Sequence, residues 1–393
     1  MAQAVILGAG SVGRGFIGQL FAESGYHVVF VDIDEPLIAT LDEQGSYRIT
    51  LVDNERHAPV VVSPVSGMLS QDIPAVVGAL AEAPLGATAV GVRALPQIAP
   101  LIAQAIQRRV EGDSDLPLNI IVCENLPDAA HYLRELIAEH LDAAEQQYLN
   151  ARVGLVNAVI GRMVPEPGPE QRARDITAIV TEPYKELPVD RTGFVGDIPD
   201  IVGLEAHDPF APYIARKLYL HNGAHAIMGY LGYHRGHMLG FEALEDPAIR
   251  PVLEGALNEA VQGLLARFGL AEDSLQEYLA DLLPRLGNRP LADPIARLAR
   301  DPLRKLAPGD RLVGPARAAE SAGLAPDNLA WGIAGALAFD APQDPTAEVL
   351  QQRIEAEGVG AVMVAVCGIE ADEPLGRLVL ERYAQVVRGA FDS

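Results

Sequence analysis

The stretch that most constrains this chain is "AVILGAGSVGRGFIGQLF", residues 4 to 21, where a short β-branched run passes directly into Gly8, Gly10 and Gly13. A G-x-G-x-x-G set with a strand pattern before it and a helical pattern after it demands a strand–turn–helix unit. Gly8 permits the tight turn, Gly10 lets a ligand approach the backbone, and Gly13 brings helix against strand. The exposed helix start then offers unpaired N–H groups and the positive end of the helix dipole, which suit phosphates. The bland alternative is that the glycines serve packing alone. A second strand-like run ending at Asp32 argues against it, because a carboxylate there would accept the hydroxyls of an adenosine ribose. Dinucleotide binding is therefore expected, with Gly8, Gly10, Ser11, Val12 and Gly13 on the phosphate side. Asp32 would repel a 2′-phosphate, which favours NAD over NADP. Arg14 reads either as a phosphate contact or as a solvated helix side chain.

With 393 residues, the chain exceeds one ordinary hydrophobic core and is expected to divide in two. Its first half alternates β-branched runs (4–7, 28–31, 87–92, 119–123) with helical patterns, as parallel βαβ units do. Residues 47 to 63 alternate around Asp53 and Asn54 and predict a small hairpin inserted in that sheet. The passage "VPEPGPEQRARD" (164–175) breaks the pattern, and strand-like "ITAIVTE" follows. From about Pro212 the chain reads as long amphipathic helices. The predicted fold is α/β, with a Rossmann-like doubly wound dinucleotide-binding domain over 1–195 and a mainly helical substrate-binding and catalytic domain over 196–393.

A net charge of −23 disfavours nucleic acid and anionic membrane surfaces as partners. No apolar run approaches the roughly 18 residues of a membrane span. The first strand lies so near Met1 that no secretory leader is expected, and the chain reads as soluble and cytoplasmic, with a small-molecule substrate and no obligate protein partner. Two cysteines, Cys123 and Cys367, are too few for a disulfide framework. An anionic substrate would require a local basic cluster.

A cofactor turn does not specify a reaction. The chemistry is sought in "RKLYLHNGAHAIMGYLG" (216–232), where a regular helix places Lys217, His221, Asn222 and His225 within an arc of roughly 140°. Oxidising an alcohol by hydride transfer needs a base for the hydroxyl proton and donors for the developing alkoxide. A lysine with its pKa lowered by burial could be that base without a metal. On residue type alone, a solvated helix lysine is the commoner case.

These residues resemble the polyol-specific long-chain dehydrogenases over nearly the whole chain. The family's K-x4-N-x2-H signature matches Lys217, Asn222 and His225. The resemblance implies that Lys217 is the general base, that Asn222 and a second asparagine, Asn125 in "NIIVCENL", form the oxyanion site, and that His225 holds the polyol. Without it, Asn125 would read as a turn or helix-cap residue. "TAVGV" (88–92) resembles the family's cofactor-side strand and adds Val90 beside the nicotinamide ribose. "ARDPLRKLAPGDRL" (299–312) resembles the branch acting on phosphorylated sugars, which makes Arg300, Arg304 and Lys305 candidates for the substrate phosphate. Its four cations, Arg311 included, read equally as a helix face paired to Asp301 and Asp310. "RLGNRPLAD" (285–293) also follows the family pattern.

The implied reaction is the NAD-dependent, metal-independent interconversion of D-mannitol 1-phosphate and D-fructose 6-phosphate, by a monomer. Two departures bear on the substrate: Gly161 in "IGRMVP" stands where relatives carry an acid, and Leu187 and Pro188 in "EPYKELP" stand where an aromatic is expected. They leave room for the branches acting on free mannitol or on sugar acids of the fructuronate and tagaturonate type. From another class, a non-catalytic NAD-binding sensor would not need the lysine. His234 and His237 are spaced for a metal but lack a partner motif. Trp331 is expected in the core.

Overall fold

The computed structural model describes residues 1–389, so the last four residues of the expected 196–393 domain lie outside the described residues. The chain forms two compact units, Met1–Phe210 and the residues from Ala211 onward.

In chain order the strands of the first unit are β1 Gln3–Leu7, β2 His27–Asp32, β3 Tyr47–Val52, β4 His57–Val62, β5 Val65–Leu69, β6 Leu85–Thr88, β7 Leu118–Val122, β8 Val153–Asn157, β9 Ile179–Thr181, β10 Leu187–Asp190 and β11 Leu204–His207. Six of them make one sheet in the order β5-β2-β1-β6-β7-β8, parallel throughout. Ile6 of β1 lies between Phe30 of β2 and Ala87 of β6. Both faces of such a sheet must be covered, so its strands read as continuous apolar runs. Val5, Leu7, Val29 and Val31 pack on one face with Leu80, Ile102 and Leu133 from helices. Ala4, Ile6, Val28 and Phe30 pack on the other with Phe16, Ile17 and Leu20. Neighbours β1 and β6 open in opposite directions along the sheet, which is where parallel α/β sheets bind ligands, beyond the strands' carboxyl ends.

The predicted hairpin exists as β3 and β4, yet it is not part of the parallel sheet. With β9, which comes from "ITAIVTE", it builds a separate three-stranded sheet. The place beside β2 is taken by β5, so the hairpin has no parallel edge to join there. The units part at Phe210–Ala211 rather than at 195/196, because residues 196–210 carry β11, which pairs with β10 and packs with the first unit.

Beyond Ala211 the described secondary structure is helical. Helices Ile249–Phe268, Leu329–Leu337 and Asn222–His234 share one core that includes Leu253, Leu257, Ile333 and Leu231. Helices Val313–Ser321 and Val359–Cys367 were not legible in the sequence: the first opens on Gly314 and Pro315, which read as loop residues, and the second is apolar on nearly every side. Trp331 is half-buried rather than core, with the Arg382 guanidinium 4.9 Å above its ring. Cys123 and Cys367 are both buried free thiols. Among the described residues no helix is long and apolar enough to cross a membrane.

Candidate functional site

In the first unit the glycines divide their labour as the spacing predicts. Gly8 has φ +106°, and a Cβ there would lie 2.4 Å from the Ala89 carbonyl oxygen. A Cβ on Gly13 would lie 2.1 Å from the Gly8 oxygen, so only glycine lets the helix start this close to β1. Nothing lies within 4 Å of a Cβ on Gly10, which leaves that backbone open to an approaching group. This arrangement fits a dinucleotide pyrophosphate: two glycines close the turn and the third keeps its face clear. Ser11 and Val12 are half-buried at the same helix start, the Ser11 hydroxyl donating to the Pro165 carbonyl at 3.4 Å.

The helix begins with a π-turn, Gly13–Ile17, in which the Gly18 N–H donates to the Gly13 carbonyl. Asp32 ends β2 with both carboxylate oxygens fixed by amides: one accepts from Ala9 at 2.7 Å, the other from Ile33 at 2.7 Å and Asp34 at 3.1 Å. Arg14 is neither of the things its sequence context suggested. It is 1% exposed, donates from Nε to the Ala9 carbonyl at 2.6 Å and to the Thr177 carbonyl, and its pKa is lowered by burial. The side chain straps the turn from inside.

Asn125 stands exposed in the turn after β7. It does not cap the following helix, Ala129–Ala138, whose N-cap position is Asp128. The preceding residue, Glu124, is one that sequence reasoning missed. It is 7% exposed, accepts the Val90 N–H at 3.0 Å, and its pKa is raised by burial against the opposing hydrogen bonds of Val90, Thr88 and Gly91. Glu124 thus ties the loop after β6, with Val90 in it, to the end of β7. A carboxylate next to "NL" carries no sequence signal for this; only burial reveals it.

In the second unit, Lys217 opens another π-turn, Lys217–His221, set between helices Ala211–Arg216 and Asn222–His234. The Asn222 N–H is shared between the Leu218 carbonyl, an i→i+4 bond, and the Lys217 carbonyl, an i→i+5 bond. The K-x4-N spacing thus spans one π-turn, which brings Lys217 and Asn222 closer in phase than the roughly 140° of a regular α-helix. Asn222 is 8% exposed and His221 5%; the Lys217 and His225 side chains are half-buried. The rings of His221 and His225 meet edge to face at 4.8 Å, and no partner reaches His221 Nδ1.

Burial governs the charge states here. It lowers Lys217 to about 7, helped by Arg311 and Arg304 and opposed by Asp310. It lowers His225 to about 3, against the attraction of Asp293 and with the repulsion of Arg297 and Lys217. His221 is lowered for the same first reason, then by His225 and Lys217. At neutral pH the helix presents an amine balanced between its two forms, an amide and two neutral imidazoles.

The segment 295–314 packs on this helix through small residues. A Cβ on Gly229 would lie 2.7 Å from the Leu298 carbonyl carbon, and one on Gly223 3.1 Å from the Arg311 oxygen. Of the cations predicted for phosphate, Arg300 is exposed, and Arg304 is exposed with its Nε on Asp301 at 2.7 Å. Lys305 corrects the sequence reading: it is 4% exposed, donates to the Leu298 carbonyl and sits 5.5 Å from the centre of the Tyr230 ring. A side chain committed to the interior cannot reach a phosphate. Arg311, passed over as a phosphate ligand, is 8% exposed, held by Asp310 at 2.6 Å, and acts electrostatically on Lys217.

His234 and His237 point to different partners, the Gly335 carbonyl at 3.0 Å and the Asp246 carboxylate at 2.7 Å. Among the described residues no three His, Cys, Asp or Glu side chains converge as metal ligands. Gly161 lies under Tyr184, whose ring would be 2.9 Å from a Cβ, so an acid could not replace it without moving that ring. Leu187 is fully buried at the start of β10, and the Pro188 carbonyl accepts from Val159 at 2.9 Å.

Residues 2–203 match the family model of the mannitol dehydrogenase Rossmann domain, and residues 210–367 that of the mannitol dehydrogenase C-terminal domain. The chain belongs to the mannitol dehydrogenase family. It is an oxidoreductase acting on CH–OH groups. The mannitol-1-phosphate 5-dehydrogenase of Bacillus subtilis is 39% identical over 383 residues, covering 97% of this chain and 100% of that one. That of Bacillus velezensis is 38% identical over 386 residues, covering 97% and 100%. Among solved structures, Pseudomonas fluorescens mannitol 2-dehydrogenase in ternary complex with NAD and D-mannitol has a TM-score of 0.79 at 18% identity, covering 99% of this chain and 92% of that one. A D-sorbitol dehydrogenase in substrate-free form has a TM-score of 0.82 at 15% identity, covering 99% and 94%. At such identities these two likenesses establish the fold that this member of the mannitol dehydrogenase family shares with them.

Proposed function

We propose that this chain interconverts D-mannitol 1-phosphate and D-fructose 6-phosphate with NAD. The observation that carries the reading is the π-turn that joins a lysine of pKa about 7 to a buried asparagine. Near neutrality such an amine is divided between base and acid forms, which a reversible alcohol–ketone reaction requires. In oxidation, neutral Lys217 Nζ takes the hydroxyl proton. The Asn222 amide donates to the oxygen as negative charge develops on it, and Asn125 supplies a second amide donor. His225, kept neutral by burial, accepts from or donates to an adjacent hydroxyl of the polyol. In reduction, protonated Lys217 returns the proton to the oxygen.

A nicotinamide cofactor, when bound, supplies the hydride acceptor or donor. Gly8, Gly10, Ser11, Val12 and Gly13 would hold its pyrophosphate, Asp32 its adenosine ribose, and the Val90 loop its nicotinamide side. The fixed carboxylate of Asp32 favours NAD over NADP. No metal takes part, because Lys217 already provides the base. Arg304 and Arg300 would receive the substrate phosphate, with buried Arg311 adding positive potential behind them. The 37–39% identity to mannitol-1-phosphate 5-dehydrogenases over nearly the full chain supports the phosphorylated substrate.

The test is the rate of NADH oxidation by the full chain with fructose 6-phosphate and with fructose, alongside Lys217→Ala. Turnover of the phosphate ester alone, lost in the variant, is expected. Turnover of fructose instead moves the protein to the branch acting on free polyols. NADH binding without turnover of either leaves the sensor.

A further inference from the structure

The segment 164–177, which broke the βα pattern in the sequence, is tied along the nucleotide-binding turn at three points. The Ser11 hydroxyl donates to Pro165, the Arg14 guanidinium donates to Thr177, and Arg172 pairs with the Asp34 carboxylate. Arg172 lies on the short helix Pro169–Arg174. Its partner is two residues beyond Asp32, so the guanidinium is brought to the acid that ends β2.

Between the two acids stands Ile33, 74% exposed. A β-branched apolar side chain is held in water there by backbone amides that bind the Asp32 carboxylate, Ile33's own N–H among them. Asp34 is doubly committed: one oxygen caps the next helix through Leu37 at 3.2 Å, and the other holds Arg172. The local inventory is thus an apolar face, a planar cation with its orientation preset by a carboxylate, and a second carboxylate suited to a ribose diol. A flat heteroaromatic ring joined to a ribose matches all three, since its faces take apolar contact and cation stacking equally well.

We propose that Ile33 and Arg172 form the seat for the adenine ring of the dinucleotide, with Asp34 as the anchor that orients Arg172. The proposal rests on the NAD reading above and adds two binding residues to it. Preorientation by Asp34 lowers the ordering cost of a long side chain on binding. The strap at 164–177 thereby becomes part of the adenosine side of the site, although its composition resembles a linker.

The experiment is isothermal titration of the full chain with ADP-ribose, which carries adenine and both phosphates but lacks nicotinamide, for the native protein, Arg172→Ala, Arg172→Lys and Ile33→Ser. Both side chains are substantially exposed, so thermal midpoints without ligand are expected to stay unchanged. Arg172→Ala and Ile33→Ser are each expected to weaken ADP-ribose about five- to twentyfold, the range of one cation–π or apolar contact. Arg172→Lys keeps the charge and loses the planar fork, and should bind nearly as weakly as Arg172→Ala. ADP-ribose binding that is unaltered in Arg172→Ala and Ile33→Ser overturns the seat and leaves the NAD reading standing. Full retention by Arg172→Lys overturns the stacking role. A native protein that binds neither ADP-ribose nor NADH overturns both readings.

Discussion

Each unit carries a π-turn in the helix proposed to bear its part of the chemistry, Gly13–Ile17 in the first and Lys217–His221 in the second, and the two are made in opposite ways. The first works by atoms it lacks. Gly8 and Gly13 admit no Cβ, and Gly10 leaves space beside it. The second works by atoms it keeps from water: an amine, an amide and two imidazoles on a partly or wholly buried face. Steric permission is written in residue type, whereas an altered proton affinity is written in the surroundings.

The sharpest way to break this contrast is Lys217→Ala. It is expected to lower kcat by about 10³- to 10⁴-fold, the scale of a general base, while ADP-ribose affinity stays unchanged. A loss below about tenfold would remove the amine from the base role. Next in size is a pair of alanines in the glycine turn. Gly13→Ala must push apart the helix start and β1 and should cost about 1–3 kcal/mol in chemical denaturation. Gly10→Ala meets nothing in the unit and should leave stability within about 0.5 kcal/mol while weakening NADH in titration. Equal stability losses in the two would mean that packing alone explains both.

Arg304→Ala should raise KM for fructose 6-phosphate by about tenfold, the value of one charge-assisted hydrogen bond, with no change for fructose. The smallest expected effect concerns pH. The base must be neutral for oxidation, so its rate rises as pH passes through about 7, and reduction falls over the same limb. Arg311→Gln removes a cation that disfavours protonated Lys217, so both limbs should move to higher pH. A limb that stays in place would assign the low lysine pKa to burial alone. Lys217 also shapes stability. Its folded pKa lies below the ordinary 10.5, so the unfolded chain binds more protons between about 7 and 10.5, and stability gains from this group as pH rises through that window.

The parallel sheet was legible because β1, β2, β6 and β7 are continuous apolar runs separated by helical periods, and Asp32 and the glycines were legible by position. Arg14, Lys305 and Glu124 were not. Each is a charged residue whose place in a loop or on a helix face suggests solvent, and each is buried on backbone groups that only the tertiary fold brings near: Thr177, Leu298 and Val90. The hairpin's destination was hidden for the same reason, since β9 lies more than a hundred residues away in sequence. On the helix proposed to carry the base, Lys217 and Asn222 stood out by residue type but their angular relation was hidden, because an assumed α-helical period misplaces Lys217 relative to Asn222.

That angular relation has a genetic consequence. A π-turn is an α-turn with one residue too many, so the lysine-to-asparagine interval behaves as an inserted codon kept in place. Exchanging Leu218 or Tyr219 for another residue keeps the interval. Deleting either leaves the lysine four residues before the asparagine, where a regular α-turn keeps them within roughly 40°, whereas straightening the turn at full length would swing the amine roughly 100° further from the amide. The segment should therefore tolerate the loss of that one residue far better than the gain of another, which would put amine and amide on different faces.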